Sequence, residues 1–348
     1  MAKIAIVGAS GKLGGATLSA LLTHKLAPPS DVIALTSSAP ESQTWTRLAA
    51  TGVQVRHARF EDAATFESAL DGVERFFLIS TPDIALDLGV AMEYDGTVAD
   101  AASARGNPGR ESHHKRAIDA AVKAGVKWIV YSSLAFAFSG DGEASKAGVM
   151  RAHLRTEAYL RSVSAAHGVR VTILREGVYN ESWPLYLGYF DAGNAEGERD
   201  VVPLAGDGKI SWSAIHDLGV ASALVLSSGN GEEEYSGKTL YLSTRPETAK
   251  TVGEVARLVG EARGRDVRVE TVGREEHERY YVDERGLPRP AVEWWASTYP
   301  ALEDGECLVD DPTLETLLAR VGLKPISIEE TVAAMVKGQG GWKSRQQV

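Results

Sequence analysis

Lys3–Gly15 reads KIAIVGASGKLGG, and no other stretch narrows the fold of this chain so far. Ile4, Ala5, Ile6 and Val7 form a short apolar run, the composition of a strand buried on both faces in a parallel sheet. Gly8, Gly11 and Gly14 follow at G-x-x-G-x-x-G spacing, and Ala16–Leu22 continues in helix-forming residues. In such a strand–turn–helix unit the first glycine permits a tight turn and the second lets the backbone approach a pyrophosphate. The third lets the helix pack close to the strand, and the helix N-terminus attracts the phosphate charge. Gly8, Ser10, Gly11, Lys12, Leu13 and Gly14 are therefore candidate contacts of a dinucleotide. A glycine triplet is a weak signal in a chain holding 35 glycines; the strand before it and the helix after it make it specific.

The segments that follow alternate strand and helix, which implies a parallel sheet with helices on both faces. Val32–Leu35 reads as a second strand, Val53–Val55 begins a third, and Phe76–Ser80 is a fourth. Trp128–Ser132 is a fifth and Val169–Arg175 a sixth, with helical stretches at Ala63–Leu70, Ala117–Ala124 and Arg151–Ala165. The expected fold class is α/β: a doubly wound parallel sheet, with ligand at the carboxyl ends of its strands. Asp87–Glu111 breaks the rhythm with a Gly-, Ala- and Asp-rich excursion that fits either a lid or a surface insertion. After Arg175 the pattern changes. Trp183, Tyr186, Tyr189 and Phe190 crowd together, Thr239–Ser243 gives another strand, and Thr251–Ala262 reads as an amphipathic helix. Two more helices flank Lys324-Pro325. Residues 1–180 are thus expected to form the dinucleotide domain, with some later segments returning to it. Residues 181–348 would form a smaller, partly helical cap.

Composition excludes several classes. The 348 residues suffice for a sizeable core, and a formal charge of −10 argues against a nucleic-acid partner, which needs a concentrated basic face. The basic run His113–Arg116 reads as a solvated helix start. Cys307 stands alone, so no internal disulfide or multi-cysteine metal site is expected. No apolar run reaches membrane-spanning length and the chain begins on a strand, so a cytoplasmic, non-membrane protein is expected. The sequon Asn180-Glu181-Ser182 is then incidental. His113 and His114 are adjacent and would diverge on a helix, which leaves no metal site.

The end of the second strand decides between nicotinamide cofactors. An acid there binds the ribose hydroxyls of NAD, whereas hydroxyls or a base suit the 2′-phosphate of NADP. Thr36, Ser37 and Ser38 stand there with no acid before Glu41, and Lys12 supplies a positive charge nearby. NADP(H) is favoured and NAD(H) stays open. Ser80, Thr81 and Pro82 follow the fourth strand, where hydroxyls meet ribose or phosphate and proline ends the strand. A short-chain reductase would carry Tyr-x-x-x-Lys, the tyrosine as acid and the lysine lowering its pKa; this chain has none. Its serine survives as Ser132 or Ser133, but the tyrosine region reads Phe136-Ala137-Phe138-Ser139. Neither a G-x-S-x-G elbow nor a P-loop ending is present.

With GASGKLGG at the start, the segments GVKWIVYSSL (125–134), HLRTEAYL (153–160) and VTILREGVYNESW (171–183) carry a resemblance. The chain resembles the NmrA-like family of atypical short-chain dehydrogenases, and within it the branch of quinone oxidoreductases and triphenylmethane reductases. The resemblance spans nearly the whole length. It implies a substrate cleft between a Rossmann domain and a smaller C-terminal domain. It also implies that His153, four residues before Glu157, stands where the usual lysine would be, touching the nicotinamide ribose or acting as a proton source. Glu176–Asn180 should cross the cleft floor, making Tyr179 and Asn180 neighbours of substrate or nicotinamide. Trp183 and Tyr186 fit an aromatic wall for a flat substrate or ordinary core packing equally well. Two departures stand out: Ser37 where the family often has arginine, and Ala58-Arg59 where a Gly-Asp pair often follows the third strand.

Catalysis is expected to involve His153, Ser133 and Tyr179. The expected reaction is NAD(P)H-dependent reduction of a quinone-like or other conjugated carbonyl, whose delocalised oxyanion can form without a dedicated tyrosine acid. A dinucleotide-sensing regulator that binds a protein partner without turnover is the alternative. Oligomeric state is not legible.

Overall fold

The computed structural model describes residues 2–81, 83–87, 109–138, 142–229 and 231–338. Seven parallel strands form one sheet: β1 (Ile4–Val7), β2 (Val32–Thr36), β3 (Gln54–His57), β4 (Arg75–Ile79), β5 (Trp128–Leu134), β6 (Arg170–Glu176) and, at its edge, Thr239–Leu242. Their order is β3-β2-β1-β4-β5-β6 followed by that edge strand, a doubly wound Rossmann-type sheet. Each of β1, β2, β4 and β5 is an apolar run buried along nearly all its length. The register Ile4↔Val32, Ile4↔Arg75 and Trp128↔Arg170 starts neighbouring strands level, so their carboxyl ends form one rim.

Helices Lys12–Thr23 and Ile215–Ser227 cover one face. They touch closely: a Cβ on Gly219 would lie 2.6 Å from the Ala16 Cβ. Helices Ala63–Ala69, Glu111–Lys123 and Met150–His167 cover the other face. The helix Glu111–Lys123 starts six residues before the expected Ala117, and His113–Arg116 is not a solvated start. His113 and His114 are buried because the helix begins over the rim, where His114 accepts the Thr81 N–H. The two rings do diverge: His113 stacks on Phe60, whereas His114 faces Tyr131.

The remaining elements build a second core. Val201–Leu204 pairs in parallel with Arg268–Thr271, and Lys209–Ile210 pairs with Lys250–Thr251 in antiparallel. Helices Val252–Arg263 and Ile328–Val336 each begin with a capping box, Thr251 with Glu254 and Ser327 with Glu330. Helices Ile215–Ser227 and Thr313–Ala319 and the strand Thr239–Leu242 return to the first sheet, contributing Leu218, Leu242 and Leu314 to its core. Among the described residues no helix is long and apolar enough to cross a membrane, and no group of three His, Cys, Asp or Glu side chains is placed to hold a metal ion.

Most of the Asp87–Glu111 excursion, residues 88–108, lies outside the described residues, as does Pro82. Its two ends are joined: the Arg110 Nε lies 2.7 Å from Asp87 Oδ2, both side chains buried.

Candidate active site

The glycine turn has the geometry its spacing implies. Gly8 adopts φ +65°, a left-handed conformation, and Gly11 donates its N–H to the Gly8 carbonyl at 2.8 Å. A Cβ on Gly14 would stand 2.3 Å from the Gly8 carbonyl oxygen, so only glycine permits this approach of helix to turn. No side chain caps the helix and no acid sits in its first turn. Its first N–H groups thus face the rim as an anion cradle, and the residues present fit a dinucleotide pyrophosphate. Leu13 is buried in the core, so its part in such a site is confined to the backbone, while Ser10 is exposed and Lys12 is exposed as a residue with its ammonium partly shielded. Burial lowers the Lys12 ammonium pKa and the Glu181 carboxylate opposes that shift.

At the end of β2, Ser37 is exposed, and the half-buried Ser38 donates its N–H to Thr36 Oγ1 at 3.1 Å. Arg59, after β3, is exposed and lies 3.4 Å from Glu61. At the end of β4, the Thr81 N–H donates to His114 Nε2 at 3.1 Å, with the Ser80 hydroxyl 3.2 Å from the same nitrogen. That nitrogen is therefore unprotonated, and Nδ1 donates to Thr156 Oγ1 at 2.7 Å. Arg110 reaches the Ser80 hydroxyl at 3.4 Å and the Val149 carbonyl at 3.0 Å.

Strand alternation splits the residues beyond into two polar groups on opposite faces of the sheet. On the face of helix Met150–His167, His153 Nδ1 lies 3.0 Å from the Tyr131 hydroxyl. Burial, then the nearby Arg110 charge, push the His114 and His153 pKa values well below the usual histidine range. Burial thus favours the neutral imidazole of His153, which can donate or accept a hydrogen bond. Ser133 donates to Glu157 Oε1 at 2.6 Å, and Glu157 is held by Arg175 through Nε at 3.0 Å and Nη2 at 2.8 Å. The Ser133 hydroxyl hydrogen is thus committed to a buried ion pair.

On the other face, Tyr179 donates its hydroxyl to Glu176 Oε2 at 2.6 Å, and the nearby Ser132 hydroxyl works against the rise of that carboxyl's pKa. Burial raises the Glu176 pKa to about 8. Asn180 is buried, its amide donating to Thr331 Oγ1 at 3.0 Å beside the helix Ile328–Val336. Trp183 and Tyr186 are buried in the second core, Tyr186 edge-on to Trp212 and Trp295. Of the two readings of these aromatics, core packing is what the geometry displays. Buried Glu306 fastens the loop after β5, accepting from the Ala137 N–H at 3.1 Å, the Lys146 N–H at 2.9 Å and the Ser145 hydroxyl at 2.5 Å.

Sequence reasoning overlooks Glu176, His114, Arg110 and Glu306 as individual residues. Only Glu176 carries a signal of its own, an acid ending the buried strand RVTILRE.

The doubly wound sheet and the glycine cradle define a Rossmann-fold protein with a dinucleotide-type turn. Residues 1–108 match the NmrA-like family. An NmrA-like family domain-containing oxidoreductase of Aspergillus flavus is 30% identical over 327 residues, 92% of this chain and 91% of that protein. Quinone oxidoreductase 2 of Escherichia coli is 29% identical over 316 residues, 90% of this chain and 93% of that protein. Among solved structures, triphenylmethane reductase of Citrobacter sp. aligns with a TM-score of 0.72 at 27% identity, covering 96% of this chain and 99% of that one. The NADPH-dependent quinone oxidoreductase of Escherichia coli, solved with NADPH, aligns with a TM-score of 0.72 at 28% identity, covering 95% and 99%. This chain belongs to the NmrA-like family.

Proposed function

We propose that this protein is an NADPH-dependent oxidoreductase that reduces a quinone-like or other conjugated carbonyl compound. The observation that carries the reading is the Gly8–Gly14 cradle at the N-terminus of an uncapped helix. The quinone and triphenylmethane reductases to which the chain is similar along its length supply the substrate class. Ser37 and Ser38 with no acid beside them, and Lys12 in the turn, favour NADPH over NADH. Ser80 and Thr81, held by His114, and the neutral imidazole of His153 are proposed to line the ribose and nicotinamide. Tyr179 is proposed to lie beside the substrate. A lone buried thiol, Cys307, suits a reducing cytoplasm.

NADPH oxidation by the purified protein with a panel of quinones and enones tests this. Turnover with at least one flat carbonyl, and slower turnover with NADH, is expected. Tight cofactor binding with no turnover on any of them would overturn the reading in favour of a dinucleotide-sensing regulator.

A further inference from the structure

Glu176 occupies a position where an apolar residue would fit. It stands in register between Leu134 on β5 and Leu242 on the edge strand, and it is fully buried. No cation is among its hydrogen-bond partners in the described residues. Arg175, next to it in sequence, points to the opposite face and is occupied by Glu157. Oε2 accepts from the Tyr179 hydroxyl, whereas Oε1 is buried and has no partner among the described residues. A buried polar atom without a partner is costly and calls for an explanation.

Its protonation state sharpens the point. With the carboxyl raised to about 8 by burial, Glu176 is a neutral acid at physiological pH. The Tyr179 hydrogen already occupies Oε2, so the acid's own hydrogen belongs on Oε1. The orphaned oxygen is therefore a donor without a partner among the described residues, at the carboxyl end of β6 and so on the rim where Rossmann-type sheets place their ligands.

We propose that Glu176 is the acid of the reaction, its Oε1 hydroxyl meeting the carbonyl oxygen of a conjugated substrate. The inference rests on the reductase reading above and names the proton donor that the missing Tyr-x-x-x-Lys leaves open. Bound NADPH supplies a hydride to the conjugated system. The displaced electron pair moves onto the substrate oxygen, which takes the proton as the Oε1–H bond breaks and Glu176 becomes a carboxylate. The substrate has then gained a hydride and a proton. Tyr179, half-buried and donating to Oε2, stabilises the new carboxylate, and one solvent proton restores the acid. Tyr179 and Ser132 are the titratable and polar groups facing the carboxyl. Beyond them come Glu181, which acts on Tyr179, and Lys12 and Asp217, which act on Glu181.

Two measurements test this. In the cofactor-free protein, infrared titration should show a protonated carboxyl band that vanishes with a midpoint of about 8 and is absent from Glu176→Gln. With an enone and NADPH, Glu176→Gln should lower kcat roughly a hundredfold or more. NADPH affinity should change little, and Glu176→Asp should recover part of the rate. The loss should be smaller with a quinone, whose oxyanion is delocalised. A Gln variant that matches wild type in rate and pH profile overturns the acid alone. Wild-type protein that binds NADPH but reduces no carbonyl overturns the reductase reading and the acid with it. Should the Gln variant fail to fold, the wild-type profile decides, since a rate that stays flat through about pH 8 overturns the proposal.

Discussion

Arg175 holds Glu157 through two nitrogens, Nε at 3.0 Å and Nη2 at 2.8 Å, with both side chains almost wholly removed from water. The pair joins β6 to the helix Met150–His167 directly beneath the rim. Taking away one partner of a buried ion pair leaves an uncompensated charge, which costs about 3–5 kcal/mol. Arg175→Met should therefore lower the thermal midpoint by roughly 4–7 °C. The double variant Glu157→Gln/Arg175→Met should lose less than the sum of the single losses. Thermal denaturation of the three variants measures this, and strictly additive losses would show that the two residues are not coupled.

Gly14 makes no side-chain contact, yet Gly14→Ala should be among the most damaging small changes in the chain. The added methyl would meet the Gly8 carbonyl oxygen at 2.3 Å, a backbone atom that has no rotamer with which to move aside. Overpacking of this kind costs about 1–3 kcal/mol, and the helix must shift away from the phosphate position. NADPH affinity, followed by fluorescence titration, should fall at least about tenfold, equivalent to 1.4 kcal/mol. A variant with wild-type affinity would show that the turn does not hold the cofactor.

Glu176 reverses the usual dependence of stability on pH. Its carboxyl is raised from 4.5 to about 8 in the folded protein, so between those values the native state binds a proton that the unfolded state has released. Stability from this group is full below about pH 4.5 and is lost as pH rises through about 8, a range worth several kcal/mol. Glu176→Gln should thus be more stable than wild type in alkaline buffer, with the advantage shrinking toward acid pH. Urea denaturation across that range gives the answer, and parallel curves for the two proteins would contradict it.

The buried histidines act at the opposite end. His114 and His153 are held well below the usual histidine value of about 6.5 by burial and by Arg110, so the unfolded chain takes up protons that the native state refuses. Stability contributed by their neutral forms is present above about pH 6.5 and declines as pH falls. His153→Gln should flatten this acid limb. His114→Gln should flatten it too, but at a loss of stability at neutral pH, because the Thr81 N–H loses its ring acceptor. Unfolding midpoints between about pH 7 and pH 5 separate the two effects.

Much of the sheet is readable in the chain because β1, β2, β4 and β5 each hold a short apolar run, IAIV, VIAL, FFLI and WIVY, that gives way to glycine, threonine or serine. The helix Glu111–Lys123 is harder. Its first turns, ESHHKR, carry no apolar stripe, and the inward positions are polar residues whose partners, Thr81 and Thr156, lie far away in sequence. The glycine turn is legible because its requirement is written in residue type: only glycine has no Cβ. The Glu176 site is not, because an acid before a glycine looks like any strand end. Its environment comes from Ser132, 44 residues earlier, and from a strand that arrives at Thr239. Trp183 and Tyr186 defeat sequence reading for a different reason, since the spacing that lines a cleft also packs a core.

The contact between Ala16 and Gly219 has a temporal meaning. The glycine turn is synthesised some two hundred residues before the helix Ile215–Ser227, which packs on the helix that the turn opens. The edge strand Thr239–Leu242 and the helix Thr313–Ala319 arrive later still. A nascent chain stopped near residue 180 would display the motif with one side of its sheet only partly covered, by Lys12–Thr23 without Ile215–Ser227. The second face of the sheet is complete only once the chain has passed Ala319.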